Sequence, residues 1–202
     1  MRDVRKFHPS AMRALASAFD RAAQESDPEW MLSIIAKAAI ETLGDKDAAK
    51  RPGGLKTGEV DRTIAGYFLV LGDAREMLLL SELGWPPDQH RLRIAIDEGR
   101  PGWVVGNAKP LVIPNTDKDG VFTQIISSAR MGSSLYAPLI AGEEVLGLIT
   151  VASQARYTYD ARDLELLVVA ARYAAGMWMA LDGPAFLARQ EPGMFLPKDR
   201  AG

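Results

Sequence analysis

The chain of 202 residues contains no cysteine. That removes disulfides, thiolate nucleophiles, cysteine-ligated zinc, iron–sulfur clusters and any thioether-linked chromophore. Histidine is almost as scarce. His8 and His90 lie far apart on elements of different type, so neither a metal centre nor a Ser–His–Asp set is indicated. Asp117 and Asp119 lack the further run of oxygen ligands that a hard cation needs. An excess of one charge is missing too. The formal net charge is -2, with acids and bases interspersed, and no clustered Lys/Arg face offers itself to a phosphate backbone. No apolar run is long enough to cross a bilayer, and Met1 to Phe7 lack the apolar core of a signal peptide. These absences predict a cytoplasmic chain with no nucleic-acid or membrane partner, and one that is not an enzyme.

What remains is ordinary globular material, 48% hydrophobic and 25% charged, with length enough for one good core and little for a second. Met12, Leu15, Ala16, Phe19 and Ala23 follow helical spacing, predicting a helix over Pro9 to Glu25 with Ser10 at its start. A second helix begins at Asp27, with Pro28 at the first helical position; Met31, Ile34, Ile35 and Ala38 form its stripe, and Gly44 stops it. Asp45 to Arg62 holds Pro52, Gly53, Gly54 and Gly58 among charges and reads as a long surface loop, a kind of segment that is usually functional or mobile.

Thereafter the period shifts to strands. Ala65 to Leu71 is a continuous apolar run suited to a central strand. Gly72-Asp73 turns it, and Glu76 to Leu83 returns. Trp85-Pro86-Pro87 breaks that strand. Leu92, Ile94 and Ile96 alternate with Arg91, Arg93 and Ala95, a half-buried strand. Gly99-Arg100-Pro101-Gly102 turns into a short helix over Trp103 to Gly106, and Leu111 to Pro114 is extended. Phe122 to Arg130 reads as another short helix. Ser134 to Ile140 and Glu144 to Ser153 form a hairpin about Ala141-Gly142-Glu143. Asp160 caps a long final helix reaching Leu181. Prolines and glycines from Gly183 onward predict an irregular tail.

Tight turns between neighbouring strands imply antiparallel pairing, hence an α+β arrangement. Three pieces are expected: an N-terminal helix over 1–26, a single domain over 27–182 with an inserted loop at 45–63, and a tail over 183–202.

Four stretches resemble the GAF domain family. They are Glu98-Gly99-Arg100-Pro101-Gly102-Trp103-Val104, Pro110-Leu111-Val112-Ile113-Pro114-Asn115-Thr116-Asp117, the hairpin Ser133 to Ile140 with Val145 to Val151, and Tyr157 to Leu167. The resemblance spans Asp27 to Leu181 and is strongest from Ile94 onward. It implies a sheet of five to six antiparallel strands, N- and C-terminal helices on one face, and short helices over a ligand pocket on the other. It also implies frequent dimers through the terminal helices. The asparagine-lysine-phenylalanine-aspartate-glutamate signature of cyclic-nucleotide-binding members is absent. Chromophore-bearing and methionine-sulfoxide-reducing members depend on cysteines that this chain lacks.

The pocket so implied places Trp103, Asn115, Thr116, Asp117, Phe122, Ile126, Ser133, Ser134 and Tyr136 as candidate ligand-binding residues, apolar walls with a few convergent polar groups. The same residues also fit a plain core with a solvated turn. Lys109, Lys118 and Arg130 flank the region beside a helix start, an arrangement open to an anion or to three separate surface cations. The expected function is a sensory domain holding an unidentified small molecule non-covalently; the alternative is a dimerisation module with a closed pocket. No residue set names a cofactor.

The final helix carries two apolar lines, one through Leu164, Leu167, Val168, Ala171, Ala175 and Trp178, the other through Leu166, Val169, Ala170, Tyr173, Met177 and Leu181. The second needs cover. The N-terminal helices or a partner chain would supply it, and a symmetric homodimer is the favoured expectation. With no kinase, cyclase or helix-turn-helix pattern, output would pass to a separate signalling protein, or the chain would be part of a longer one.

Overall fold

The computed structural model describes residues 4–72, 75–126 and 129–190, with side chains from Pro9 onward. Its elements are α1 (Val4–Ala22), α2 (Pro28–Thr42), β1 (Thr63–Leu71), β2 (Glu76–Leu83), β3 (Arg93–Ala95), α3 (Gly99–Asn107), β4 (Leu111–Ile113), β5 (Ser133–Ala141), β6 (Glu144–Ser153), α4 (Ala161–Ala180) and α5 (Gly183–Ala188). The six strands form one sheet in the order β3-β2-β1-β6-β5-β4, antiparallel throughout. The α+β class and the six-stranded sheet follow the sequence reading.

Strand alternation divides the core into two. Tyr67 and Leu69 of β1, Leu78 and Leu80 of β2, Leu135 and Ala137 of β5 and Ile149 and Val151 of β6 point to the helical layer of α1, α2 and α4. Their neighbours Phe68, Met77, Leu79, Tyr136 and Leu148 point the other way, beneath α3. Central β1 is covered on both faces, which its uninterrupted apolar run anticipates.

Local chemistry sets the helix ends. Asp27 accepts the Trp30 N–H at 2.8 Å to start α2. Asp160 and Asp163 form a capping box at α4, and the buried Asp163 also accepts the Gly44 N–H at 2.9 Å, tying the end of α2 to the start of α4. The second apolar line of α4 is covered in part within the chain, while Val169 stands exposed. Phe19 of α1 stacks on Tyr173 with centroids 4.2 Å apart, and the Tyr173 hydroxyl donates to the Phe19 carbonyl at 2.8 Å.

Several expectations are corrected. Helix α1 does not start at Ser10 but at Val4, running through Pro9. Gly99 to Gly102 are not a turn before α3 but its first turn. A Cβ on Gly102 would lie 2.4 Å from the Asp97 carbonyl carbon, so glycine is what lets the helix seat there. Phe122 to Arg130 contains no helix among its described residues. Within the tail, Gly183–Ala188 is helical, with Pro184 in the first turn where its missing N–H costs nothing; residues 191–202 lie outside the described part. The 45–62 insert is docked on the sheet end, through Asp45 N–H to the Thr158 carbonyl (2.7 Å) and Arg156 N–H to the Gly54 carbonyl (2.8 Å).

Candidate functional site

On the face away from α1, α2 and α4, the sheet supplies a floor of Ile64 and Phe68 from β1, Tyr136 from β5, and Thr150 and Ala152 from β6. Trp85 and Pro101 form walls, and Phe122 to Ile126 with Ala129 and Met131 form the roof. They enclose a cavity of about 30 Å³, room for a water molecule or two.

Trp85 is held edge-on to Phe68, centroids 5.8 Å apart at 80°. Its indole N–H donates to the Ala65 carbonyl at 2.9 Å. Gly66 makes this possible, since a Cβ there would come within 3.2 Å of the Trp85 ring nitrogen and 2.8 Å of Leu79.

Among its described residues the roof has no backbone ladder to the sheet, and side chains hold it. The buried Gln89 donates its amide to the Ile125 carbonyl at 2.7 Å. Arg130 donates to the Thr116 carbonyl at 3.0 Å and lies over the Phe122 ring, 4.8 Å from its centroid. At the roof's near end, Arg100 of α3 grips Asp119 through two nitrogens, Nε at 2.9 Å. Burial works to raise the Asp119 carboxyl, but Arg100 and the Val121 N–H outweigh it and hold the group below its ordinary value.

Of the nine expected ligand-binding residues, the structure brings Phe122, Ile126 and Tyr136 to the cavity wall. Burial pushes the Tyr136 phenol up to about 12, with the neighbouring Ser134 working the other way. Ser134, two residues along the same strand face, is paired in register with Ala152 of the floor. Its hydroxyl is fully buried beside the Tyr136 phenol, and Ser134 is not among the residues that line the cavity.

The other five are engaged elsewhere. Trp103 stands 39% exposed on α3. Asn115 accepts the Asp117 N–H at 3.0 Å and donates to the Tyr157 hydroxyl at 3.1 Å. Thr116 is fully buried and donates to the Met131 carbonyl. Ser133 faces the helical layer, donating to the Ile113 carbonyl at 3.2 Å and accepting the Tyr159 N–H at 3.3 Å.

Asp117 belongs to an ion network. Arg156, 2% exposed at its side chain, donates Nε to Asp117 at 3.0 Å and Nη1 to Glu59, while Lys56 reaches Asp117 at 2.8 Å. Arg156 first, then Lys56, hold the Asp117 carboxyl at about 2. This network fastens the 45–62 insert beside the site. Lys56 and Arg130 are thus spent on Asp117 and the Thr116 carbonyl. Among the described residues no three His, Asp or Glu side chains converge as a metal site would require.

Sequence reasoning missed Trp85, Phe68, Gln89 and Arg156. A signal existed for Trp85: glycine inside a strand marks a close approach by another group, and Gly66 sits mid-strand. Nothing local marks Arg156 or Gln89.

A six-stranded antiparallel sheet with helices on one face and an aromatic-walled cavity on the other defines an α+β domain. The model of the GAF domain family matches residues 57–177, more than half of the chain, and the chain belongs to that family. No curated protein sequence matches it significantly. Among solved structures it is similar to the GAF domain of a phosphoenolpyruvate-protein phosphotransferase from Coxiella burnetii, with TM-score 0.71 and 15% identity, covering 87% of this chain and 96% of that one. The corresponding domain from Acinetobacter gives 0.68 and 16%, covering 91% and 97%. A free methionine-R-sulfoxide reductase from Neisseria meningitidis, in complex with its substrate, gives 0.68 and 19%, covering 86% and 90%.

That last similarity corrects the expectation that the chain is not an enzyme. Reductases share this architecture, so the fold gives no ground for setting catalysis aside. Among the described residues, no helix is long and apolar enough to cross a membrane.

Proposed function

We propose that this GAF domain is a sensory module that holds a small molecule non-covalently between the sheet and the Phe122–Met131 roof. Occupancy is passed on through the helical layer to a partner, either a second copy meeting the terminal helices or a separate signalling protein. The reading takes a cytoplasmic setting, which suits a chain without cysteine. One observation carries it: the described residues of the roof, 122–126 and 129–131, lie in neither helix nor strand and are held by a few side-chain anchors, so the cavity can widen without breaking a sheet or helix ladder there. Ligand contacts would replace the interior contacts of Phe122 and Ile126.

A second reading, a protein-interaction module whose pocket stays closed, is favoured by the volume of about 30 Å³. Native mass spectrometry of the purified chain, followed by a thermal-shift screen of metabolites, separates the two, because a ligand bound only to the folded state raises its melting temperature. The sensory reading expects a co-purified molecule or a concentration-dependent rise abolished by Phe122→Trp, which fills the cavity. An unliganded mass with no rise from any metabolite would replace it by the second reading.

A further inference from the structure

We propose that residues 81–91 form a mechanical link that carries the state of the cavity roof to the first turn of α2. This rests on the ligand-binding reading above and names the route by which occupancy leaves the site.

Part of the segment belongs to the cavity. Trp85 is a wall, and Gln89 holds the roof through the Ile125 carbonyl at 2.7 Å. Its two ends belong to Glu29, in the first turn of α2. Arg91 reaches the Glu29 carboxylate with both terminal nitrogens, Nη1 at 2.5 Å and Nη2 at 2.7 Å. Ser81 donates its N–H to the same carboxylate at 3.2 Å and its hydroxyl to the Glu29 carbonyl at 2.9 Å. Glu82 closes the segment on itself by accepting the Arg91 N–H at 2.7 Å. Only His90 separates the residue that anchors the roof from the one that anchors α2.

The backbone holds the means of movement. Ser81 and Arg91 take φ of +55° and +54°, a left-handed conformation that residues other than glycine rarely adopt. Both bond to Glu29. Ser81 and Glu82 together stand opposite Gly66 of β1, as a bulge in β2, and Gly66 is the position over which Trp85 packs. Freed from the Glu29 carboxylate, Arg91 relaxes towards extended backbone, which draws Gln89 off the Ile125 carbonyl. By linkage, a ligand that lifts the roof from Gln89 loosens the grip on α2. The first turn of α2 carries Trp30, 60% exposed, so the change is displayed at the surface.

The test uses the full chain with no ligand added. Methyl NMR of Ile125 and Ile126 reports the roof, and hydrogen exchange of the buried Ser81 amide reports the Glu29 end. Glu29→Ala is expected to move both methyl signals along the line that joins the native chain to Gln89→Ala, the mark of one equilibrium biased from two places. Gln89→Ala is expected to speed Ser81 exchange roughly tenfold, the scale of one hydrogen bond. Asp27→Ala removes the other support of the same helical turn, the cap on the Trp30 N–H, and is expected to change neither reporter. Should Glu29→Ala fail to fold, Glu29→Gln sheds only the charge and is expected to move the methyls in the same direction.

Methyl signals unmoved by the Glu29 variant, or moved as far by Asp27→Ala, overturn the link. Ser81 exchange unchanged in Gln89→Ala overturns it as well. None of these results touches the ligand-binding reading, which the native-mass and melting screen decides. An empty screen removes what would drive the link and leaves the link itself standing.

Discussion

Arg156 shows how a residue near the site is bound up in structure. Its guanidinium is buried with both carboxylate partners in reach, and removing one member of such a set strands the others. Arg156→Ala is therefore expected to cost about 3 kcal/mol in urea unfolding, and to release the 45–62 insert to limited proteolysis. Asp117 gives the pH signature. Its carboxyl is held at about 2 against an ordinary 3.8. A lowered carboxylate contributes stability above its unfolded value and loses it as pH falls through the folded one. The thermal midpoint should thus drop between about pH 4 and about pH 2, and Asp117→Asn should flatten that limb while lying lower at neutral pH. An acid limb identical in the variant would refute this. Asp117 looked like a pocket residue because it follows a short strand in a family-like motif. The residue that engages it lies on another loop, and no local spacing announces the pairing. Tyr67 is the opposite case. It reads as core and is core, yet its hydroxyl is buried without a partner, so Tyr67→Phe is expected to leave stability unchanged or raise it by up to ~1 kcal/mol.

At the scale of elements, legibility followed agreement between local pattern and tertiary setting. The β5–β6 hairpin, β1 and β2, and the capped starts of α2 and α4 all have sequence signals that the packing reinforces. The 122–130 segment is where the two part. Phe122, Ile125 and Ile126 satisfy helical spacing, and on that pattern a helix is expected. All three residues line the cavity instead, and the Ile125 carbonyl is taken by Gln89 from a distant loop. A helix would spend that carbonyl on its own ladder. β3 illustrates the same point more mildly. Its alternation runs over six residues, but Arg91 sits at φ +54°, which stops the ladder short and leaves three paired. If Gln89 is the anchor, Gln89→Ala should speed hydrogen exchange of the 122–126 amides by roughly tenfold, one hydrogen bond's worth, with exchange in β1 and β6 unaltered. Uniform change across the molecule would mean a global loss of stability rather than release of the roof.

Across the whole molecule, the helical layer decides what the domain can show a partner. Two apolar lines on α4 argue for something covering the second, and sequence cannot say whether that cover comes from the same chain, since periodicity reports a buried face and not its neighbour. Here α1 supplies part of it, through the Phe19–Tyr173 stack and the hydroxyl bond beneath it. Self-association through the terminal helices would then have to use the outer surface, where Met12, Val169 and Met179 stand exposed, or to displace α1 and borrow the stripe it covers. Phe19→Ala distinguishes these routes. It removes the stack while leaving the exposed residues in place, and truncation of a partly buried aromatic ring should lower stability by about 2 kcal/mol. If α1 shields an associating surface, the variant should also sediment as a larger, concentration-dependent species in analytical ultracentrifugation, with the sheet's exchange protection retained. A variant that is destabilised but sediments as the native chain does would restrict association to the outer surface. One with unchanged melting and sedimentation would show that the stack contributes nothing to holding α1 in place.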